Sequence, residues 1–260
     1  MISPLAYIHP EAQIGNHVTI EPFAMVHKDT VIGDRTWIGS HACILDGARI
    51  GKNCKIFQGA VISGVPQDLK FAGEITTAEI GDNSVIREFV TINRGTIDKF
   101  KTVIGKNCLI MAYVHAGHDC IVGNNVIIGN ATQLAGHVIV DDFAIFGGSC
   151  AVQQFIKIGA HSYIAGGSLI RKDIPPFVKA GREPVSYVGV NSVGLRRRGY
   201  TNEQISDIQE TYRYLYLRKM NNSKALEIIE NQIRPSEERD EIVNFVRNSE
   251  RGVMKGVYQD

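Results

Sequence analysis

Little in this sequence marks a protein for a membrane, for export or for nucleic acid. Charges of the two signs almost cancel: 28 Lys and Arg stand against 27 Asp and Glu, a net charge of +1. No broad field therefore draws the chain to nucleic acid or to an anionic bilayer. No apolar run comes near the ~20 residues a membrane span needs, so no transmembrane segment is expected. The opening MISPLAYIHP lacks a basic segment followed by an apolar one, so no secretory signal is expected either. Cysteine is scarce: Cys43, Cys54, Cys108, Cys120 and Cys150 are the only five. All but Cys43 fall in one small-residue register, described next. That predicts buried structural thiols rather than disulfides or metal ligands, and it suits a reducing cytoplasm.

What the sequence has in quantity is a period of six. Stepping by six from Ile8 to Ile170 visits 28 positions, and 23 of them hold Ile, Val or Leu. Those types make up 66 of the 260 residues, so chance would supply roughly seven, and a fixed period of this kind decides the architecture. Four places after each, the residue is nearly always small, as at Ala12, Ala24, Ala42, Cys54 and Ala60. Eleven of the 28 are followed directly by Gly. Six residues fit neither a helical period nor a simple hairpin. They fit short strands joined by tight turns, wound into a parallel β-helix, with the small and aliphatic residues inward and a residue between them outward. The glycines are expected at corners that need positive φ or close backbone approach. Three such strands make an 18-residue turn, so residues 18 apart stack one rung up. The pattern does not reveal handedness.

Two stretches break the period: 63–79, where Asp68 and Glu74 occupy would-be inward positions, and 93–102, where Asp98 does. Unpaired acids do not belong in a packed core, so both are expected to be excursion loops, and long loops on repeat proteins are often functional. Asp68 and Lys70 are the candidate working residues of the first. Arg94, Lys99 and Lys101 are presented by the second. Asp173-Ile174-Pro175-Pro176 is expected to end the coils, because the Pro pair removes ladder donors. A Gly-rich connector over 177–200 follows, then helices. Thr201 and Gln204 suit a capping box, and Ser223 and Ser236 suit two further helix starts. The expected organisation is a β-helix over 1–190 and an α-helical domain over 191–260.

The residues just before each aliphatic position should point outward. From 103 to 151 these are Val103, Leu109, His115, Ile121, Ile127, Gln133, Ile139, Ile145 and Ala151, and six of the nine are branched aliphatics. An exposed apolar stripe of that kind is expected to meet another copy of the chain. His118, His115 and His137 avoid both inward registers and are expected to face out. Rung arithmetic places His118, Gly136 and Gln154 in one column and Asp119 and His137 in the next. A histidine beside an acid, with a glycine N–H one rung away, supplies a base, its orienter and an oxyanion donor. These are parts for acyl transfer to a hydroxyl. Histidines can also hold zinc, but spacings of 3 and 19 differ from those of the hexapeptide-repeat carbonic anhydrases. No metal is expected.

The segments PQDLKFAGE, IGDNSVIREFVTINRGT, MAYVHAGHDCIVGN, LAGHVIVDDFAIFGG, AVQQF, RKDIPP and VNSVGLRRRGY, in this order, extend the likeness beyond the repeat. Over essentially the whole chain the sequence resembles the acyl-ACP:UDP-N-acetylglucosamine O-acyltransferases that open lipid A synthesis. The resemblance implies a left-handed parallel β-helix with a C-terminal α-helical domain, a homotrimer with sites between subunits, and a cytoplasmic enzyme. It implies His118 as the general base that deprotonates the glucosamine 3-hydroxyl, Asp119 as its orienter and Gly136 as the oxyanion donor. Asp68 and Lys70 match sugar-nucleotide and acyl contacts. His115, His137 and Gln154 match substrate contacts. Asn191, Arg197 and Arg198 match uridine diphosphate and carrier contacts, for which guanidinium forks are well suited. Gly166 matches the position that limits acyl length, and a glycine there implies a long 3-hydroxyacyl chain. No cofactor is implied, since the acyl group arrives on the phosphopantetheine of acyl carrier protein.

The sequence departs from the family pattern at Asn93, Gln153 and Val193, which bear on acceptor contacts, and at Gly117, which bears on packing beside His118. The acceptor could therefore be a 3-hydroxyl or a 3-amino group. A non-catalytic β-helix scaffold is the reading from a different class.

Overall fold

The computed structural model describes residues 1–218 and 220–256. Residue 219 and residues 257–260 of the expected helical domain lie outside the described residues. Most of the chain is wound into a parallel β-helix with three sheets, of nine, eight and ten strands. Neighbouring strands within a sheet come from successive turns. Tyr7–Ile8 pairs with Met25–Val26, and that strand with Cys43–Ile44, all parallel and in register.

The period explains the register. Each two-residue strand carries one outward and one inward side chain, and the inward ones stack into columns. Ile38, Ile56, Ile86, Ile110, Ile128 and Ile164 form one such column, each at most 1% exposed. Each of them contributes roughly 1.5–3 kcal/mol by burial. The small residues fill the narrow corners beside them. Cys54, Cys108, Cys120 and Cys150 are buried there, and all five cysteines are free. Burial pushes the Cys120 thiol up to about 12, which makes it unreactive.

The excursions leave the frame of six intact. Ala48 pairs with Ala78 and Ala78 with Thr102, instead of with residues 18 further on. The inserts are therefore two hexapeptide lengths and one. Outside the strands that flank them the loops span 65–76 and 94–100. Asp68 and Glu74 stand outside the core on the first loop, as expected.

Four sequence expectations meet the structure in different ways. First, the corner glycines that follow an inward residue serve close approach, one of the two uses expected of them, and none has positive φ. A β-carbon on Gly33 would stand 2.6 Å from the Gly51 carbonyl carbon. The left-handed corner falls two residues later and is taken by non-glycine residues, including His17, Phe23, Arg35, Phe89, Asp119, His137, Phe155 and His161. Such a residue costs about 1–2 kcal/mol, and at several of these corners aromatic rings stack from rung to rung. Phe89 stacks on Tyr113 at 5.2 Å and Phe143 on His161 at 4.8 Å.

Second, the Pro pair does not end the coil. Pro175 and Pro176 lie at a corner, where no ladder hydrogen bond is lost, and Val178–Gly181 then adds one more parallel strand beside Tyr163–Ile164. In place of a connector, this strand turns back antiparallel into Ser186–Val190. Third, the outward aliphatics do not make one stripe. Three strands complete each turn, so positions six apart lie on different faces. Val103, Ile121 and Ile139 mark the eight-stranded face, Leu109, Ile127 and Ile145 the ten-stranded face, and His115, Gln133 and Ala151 the nine-stranded face.

The tail holds α1 (Ser192–Arg197), α2 (Asn202–Tyr212), a π-turn over Arg213–Leu217, α3 (Asn222–Gln232) and α4 (Glu237–Arg247). Thr201 and Gln204 form the expected capping box, and Ser236 caps α4. Fourth, the start of α3 is corrected: its cap is Asn221, whose side chain accepts from Lys224 N, and Ser223 lies inside the first turn. The segment after α4 returns to the last rung. Met254 N donates to Asp173 O, and the buried Asp173 carboxylate accepts from Lys157 N and Ser249 Oγ.

Candidate active site

His115 pairs with Gln133 across adjacent rungs, which sets His118 beside Gly136 and Asp119 beside His137. The His118 imidazole meets Asp119 through Nδ1 and Oδ2 at 2.8 Å. Its Nε2 therefore faces away, toward Gly136. A β-carbon on Gly136 would stand 2.6 Å from that Nε2, so only glycine lets the ring lie there. At comparable turn places, the N–H of Asn16, Lys52, Lys106 and Asn124 donates to a side-chain oxygen of the next rung. No acceptor among the described residues takes the Gly136 N–H. Gly117 sits beneath it: a β-carbon there would stand 2.8 Å from Gly136 N. This accounts for glycine at 117, since any larger residue would push on the free N–H.

These histidines are expected to face out of the β-helix, and the structure adds that facing out does not mean exposure. His118 and Asp119 do point away from the β-helix axis, yet both are buried. Loop 94–100 folds back over them. The Thr96 hydroxyl donates to Asp119 Oδ2 at 2.6 Å, and Thr96 N and Lys99 N donate to Oδ1 at 3.0 and 3.3 Å. Burial alone would push the Asp119 carboxyl up. The Thr96 hydroxyl and N–H and the His118 imidazole outweigh it and hold the group below the usual carboxylate range. It is an ionised orienter for His118 at neutral pH.

His137 meets the His118 ring edge-on, with centroids 4.9 Å apart, and stacks on Phe155 at 4.5 Å. Its Nδ1 lies 3.1 Å from Asp98 Oδ2. Burial lowers both His137 and His115, so both are neutral near pH 7. His115 Nδ1 is 2.7 Å from the Thr91 hydroxyl. His118, Asp119 and His137 bring ligand-type atoms within 4.8 Å of one another. Both Asp119 oxygens are already engaged by donors, which makes the group a hydrogen-bonded acid more than a metal ligand.

Asp68 and Lys70 line a cavity of about 300 Å³ together with Phe71, Asp98, His137 and Phe155. The first loop is thus brought to the same corner as His118. Gln154 is exposed one rung above Gly136. Gly166 stands at another corner, between the ten- and nine-stranded sheets, where a β-carbon would lie 3.1 Å from the Gly148 carbonyl oxygen. Asn93 is buried; its Nδ2 donates to Val65 O and so ties down the start of the first loop. Gln153 and Val193 are exposed.

The tail residues are not brought to His118 within one chain. Asn191 caps α1 and donates from Nδ2 to His161 O. Arg198 donates to Phe143 O and lies over the Phe143 ring, while Arg197 is exposed. Phe143 and His161 mark the corner between the eight- and ten-stranded sheets, whereas His118 marks the one between the nine- and eight-stranded sheets. The eight-stranded face separates the two. Sequence reasoning missed Thr96 and Phe155. Phe155 was discoverable from its place 18 residues after His137. Thr96 was not, because a loop's fold decides its reach.

The comparisons with known proteins agree along the whole chain. Residues 173–254 match a family described as UDP N-acetylglucosamine O-acyltransferase, domain 2, and residues 29–64 and 101–136 match the bacterial transferase hexapeptide family. An acyl-[acyl-carrier-protein]–UDP-N-acetylglucosamine O-acyltransferase of Burkholderia orbicola is 43% identical, over 98% of this chain and 99% of its own. The crystal structure of a UDP-N-acetylglucosamine acyltransferase from Bacteroides fragilis is 52% identical, with a TM-score of 0.97 over 98% of this chain and 100% of that one. The Arabidopsis acyltransferase structure is 30% identical, with a TM-score of 0.83 over the full length of both. The architecture here is, like theirs, a left-handed parallel β-helix with a helical C-terminal part.

Proposed function

The chain belongs to the acyl-ACP–UDP-N-acetylglucosamine O-acyltransferase family, and we propose that it carries out that reaction with His118 as general base. A 3-hydroxyacyl chain moves from the phosphopantetheine thiol of acyl carrier protein to the glucosamine 3-hydroxyl of UDP-N-acetylglucosamine, the first step of lipid A biosynthesis. His118 Nε2 takes the hydroxyl proton while Asp119 fixes the tautomer through Nδ1. The sugar oxygen attacks the thioester carbonyl, and the Gly136 N–H receives the developing oxyanion. Collapse breaks the C–S bond, and the imidazolium returns its proton to the leaving thiolate. The protein needs no dissociable cofactor for these steps.

The observation that carries this reading is the juxtaposition in one buried corner of an oriented imidazole and an unengaged backbone N–H. Asp68, Lys70, His115, His137 and Gln154 contact the substrates around it, and Gly166 leaves room for a long acyl chain. Asn191, Arg197 and Arg198 bind the diphosphate or the acidic carrier from a neighbouring copy. Their separation from His118 across the eight-stranded face supports a shared site, and the aliphatic columns on that face and on the ten-stranded face support association between copies; a homotrimer is what the family resemblance implies. Among the described residues no helix is long and apolar enough to cross a membrane, which is compatible with a cytoplasmic enzyme.

The test is an assay of purified protein with 3-hydroxyacyl-ACPs of several lengths and UDP-N-acetylglucosamine. Ester-linked product is expected, with a long chain preferred. Product only with the 3-amino sugar nucleotide would reassign the acceptor. No product with either would leave a scaffold.

A further inference from the structure

Asp119 is held from two sides. From its own rung, His118 Nδ1 lies 2.8 Å from Oδ2. From the second excursion loop, the Thr96 hydroxyl donates to that same oxygen at 2.6 Å and the Thr96 N–H donates to Oδ1 at 3.0 Å. Thr96 and Asp119 are 6% and 0% exposed, so water does not compete for these bonds. The other charged and titratable groups facing the carboxylate are His137, with Nε2 at 3.9 Å from Oδ2, and Lys99, whose Nζ donates to the Asp119 main-chain oxygen. Asp98 faces His137 rather than Asp119. The adjoining Cys120 thiol is buried and stays protonated. Thr96 therefore makes the only side-chain hydrogen bond to the carboxylate, among the described residues, from a group that never carries charge.

We propose that Thr96 is a positioning residue for the catalytic pair, its hydroxyl fixing which Asp119 oxygen faces His118 and how basic that oxygen is. This rests on His118 acting as the base. A short hydrogen bond from a hydroxyl lowers the basicity of the oxygen that accepts it. Without it the carboxylate binds the His118 proton more tightly, so the imidazole loses its proton at higher pH. The carboxylate also loses its one side-chain hydroxyl donor, leaving the Thr96 and Lys99 N–H groups on Oδ1 as its hold from the loop, and the ring is oriented less firmly. The second excursion loop then has a chemical role: it supplies the third member of a relay whose other two members lie on the β-helix.

The test compares wild type with Thr96→Val, which keeps the shape and removes the hydroxyl, and Thr96→Ser, which keeps the hydroxyl. The readout is kcat and KM for both substrates across pH 5 to 9, with His118→Ala alongside. For Thr96→Val we expect kcat to fall roughly tenfold or more, KM to hold within about twofold, and the acid limb of kcat/KM to move up by about one pH unit. Thr96→Ser should restore both. A valine profile that overlays wild type after scaling, or a serine variant as impaired as the valine one, overturns the proposal. Should valine unsettle the loop, Thr96→Ala reads the same shift without the side-chain bulk. Full activity in His118→Ala would sink the base assignment itself, and that outcome is distinct from an unshifted Thr96 profile.

Discussion

His118 Nε2 occupies the space that a Gly136 side chain would fill, 2.6 Å from the position of its missing β-carbon. The base and the oxyanion donor are thereby set by one contact between neighbouring rungs. Gly136→Ala should displace the ring and the N–H together. The expected loss is about 10²-fold or more in kcat. Circular dichroism should be unchanged, because the position is outside the core columns. Near-normal turnover in this variant would separate the glycine from the chemistry.

A site shared between copies predicts complementation. His118→Ala and Arg198→Ala should each be weakly active alone. Co-expressed in equal amounts, they should recover about a quarter of wild-type activity, the share of sites that draw both intact residues from different chains. Recovery no better than either parent would place Arg198 outside the shared site.

The β-helix could be read from the sequence because each rung repeats one inward pair and because both inserts are whole multiples of six. A five-residue insert would have thrown Ile104 and everything after it out of phase. The column of His118 and Gly136 followed from the same arithmetic. Long-range features did not follow. The burial of His118 and Asp119 depends on where Thr96 and Lys99 fold back, and no local period encodes that. The split of Val103 and Leu109 onto different faces needed the three-strand turn to be applied to the outward residues as well as to the inward ones. Pro175 and Pro176 read as a stop in the sequence, because their corner placement, which costs no ladder bond, is invisible without the turn geometry.

His161 lies between Phe143 and Phe177, at 4.8 and 5.6 Å. Burial, and then the neighbouring Arg198 guanidinium, push its imidazole down to about 4. The unfolded chain takes up this proton near pH 6.5 and the folded chain does not until about pH 4. Stability is therefore full above the unfolded value and is lost as pH falls through this window; solvent screening of this partly buried ring keeps the loss at pH 5 below about 2 kcal/mol. His161→Phe keeps the stack and removes the titration. Urea unfolding at pH 7.5 and pH 5 should show a smaller acid loss in the variant than in wild type. His115 and His137 add the same slope to both proteins and cancel in the difference. An equal loss in both would show that His161 is not held neutral.

The most direct test is turnover of UDP-N-acetylglucosamine and a long-chain 3-hydroxyacyl-ACP by wild type and by His118→Ala, with equal β-sheet signal verified in each. The account predicts product from wild type and a loss of about 10²- to 10⁴-fold in kcat for the variant, the range for a missing general base. Matching rates in the two proteins would contradict it and remove His118 from the reaction.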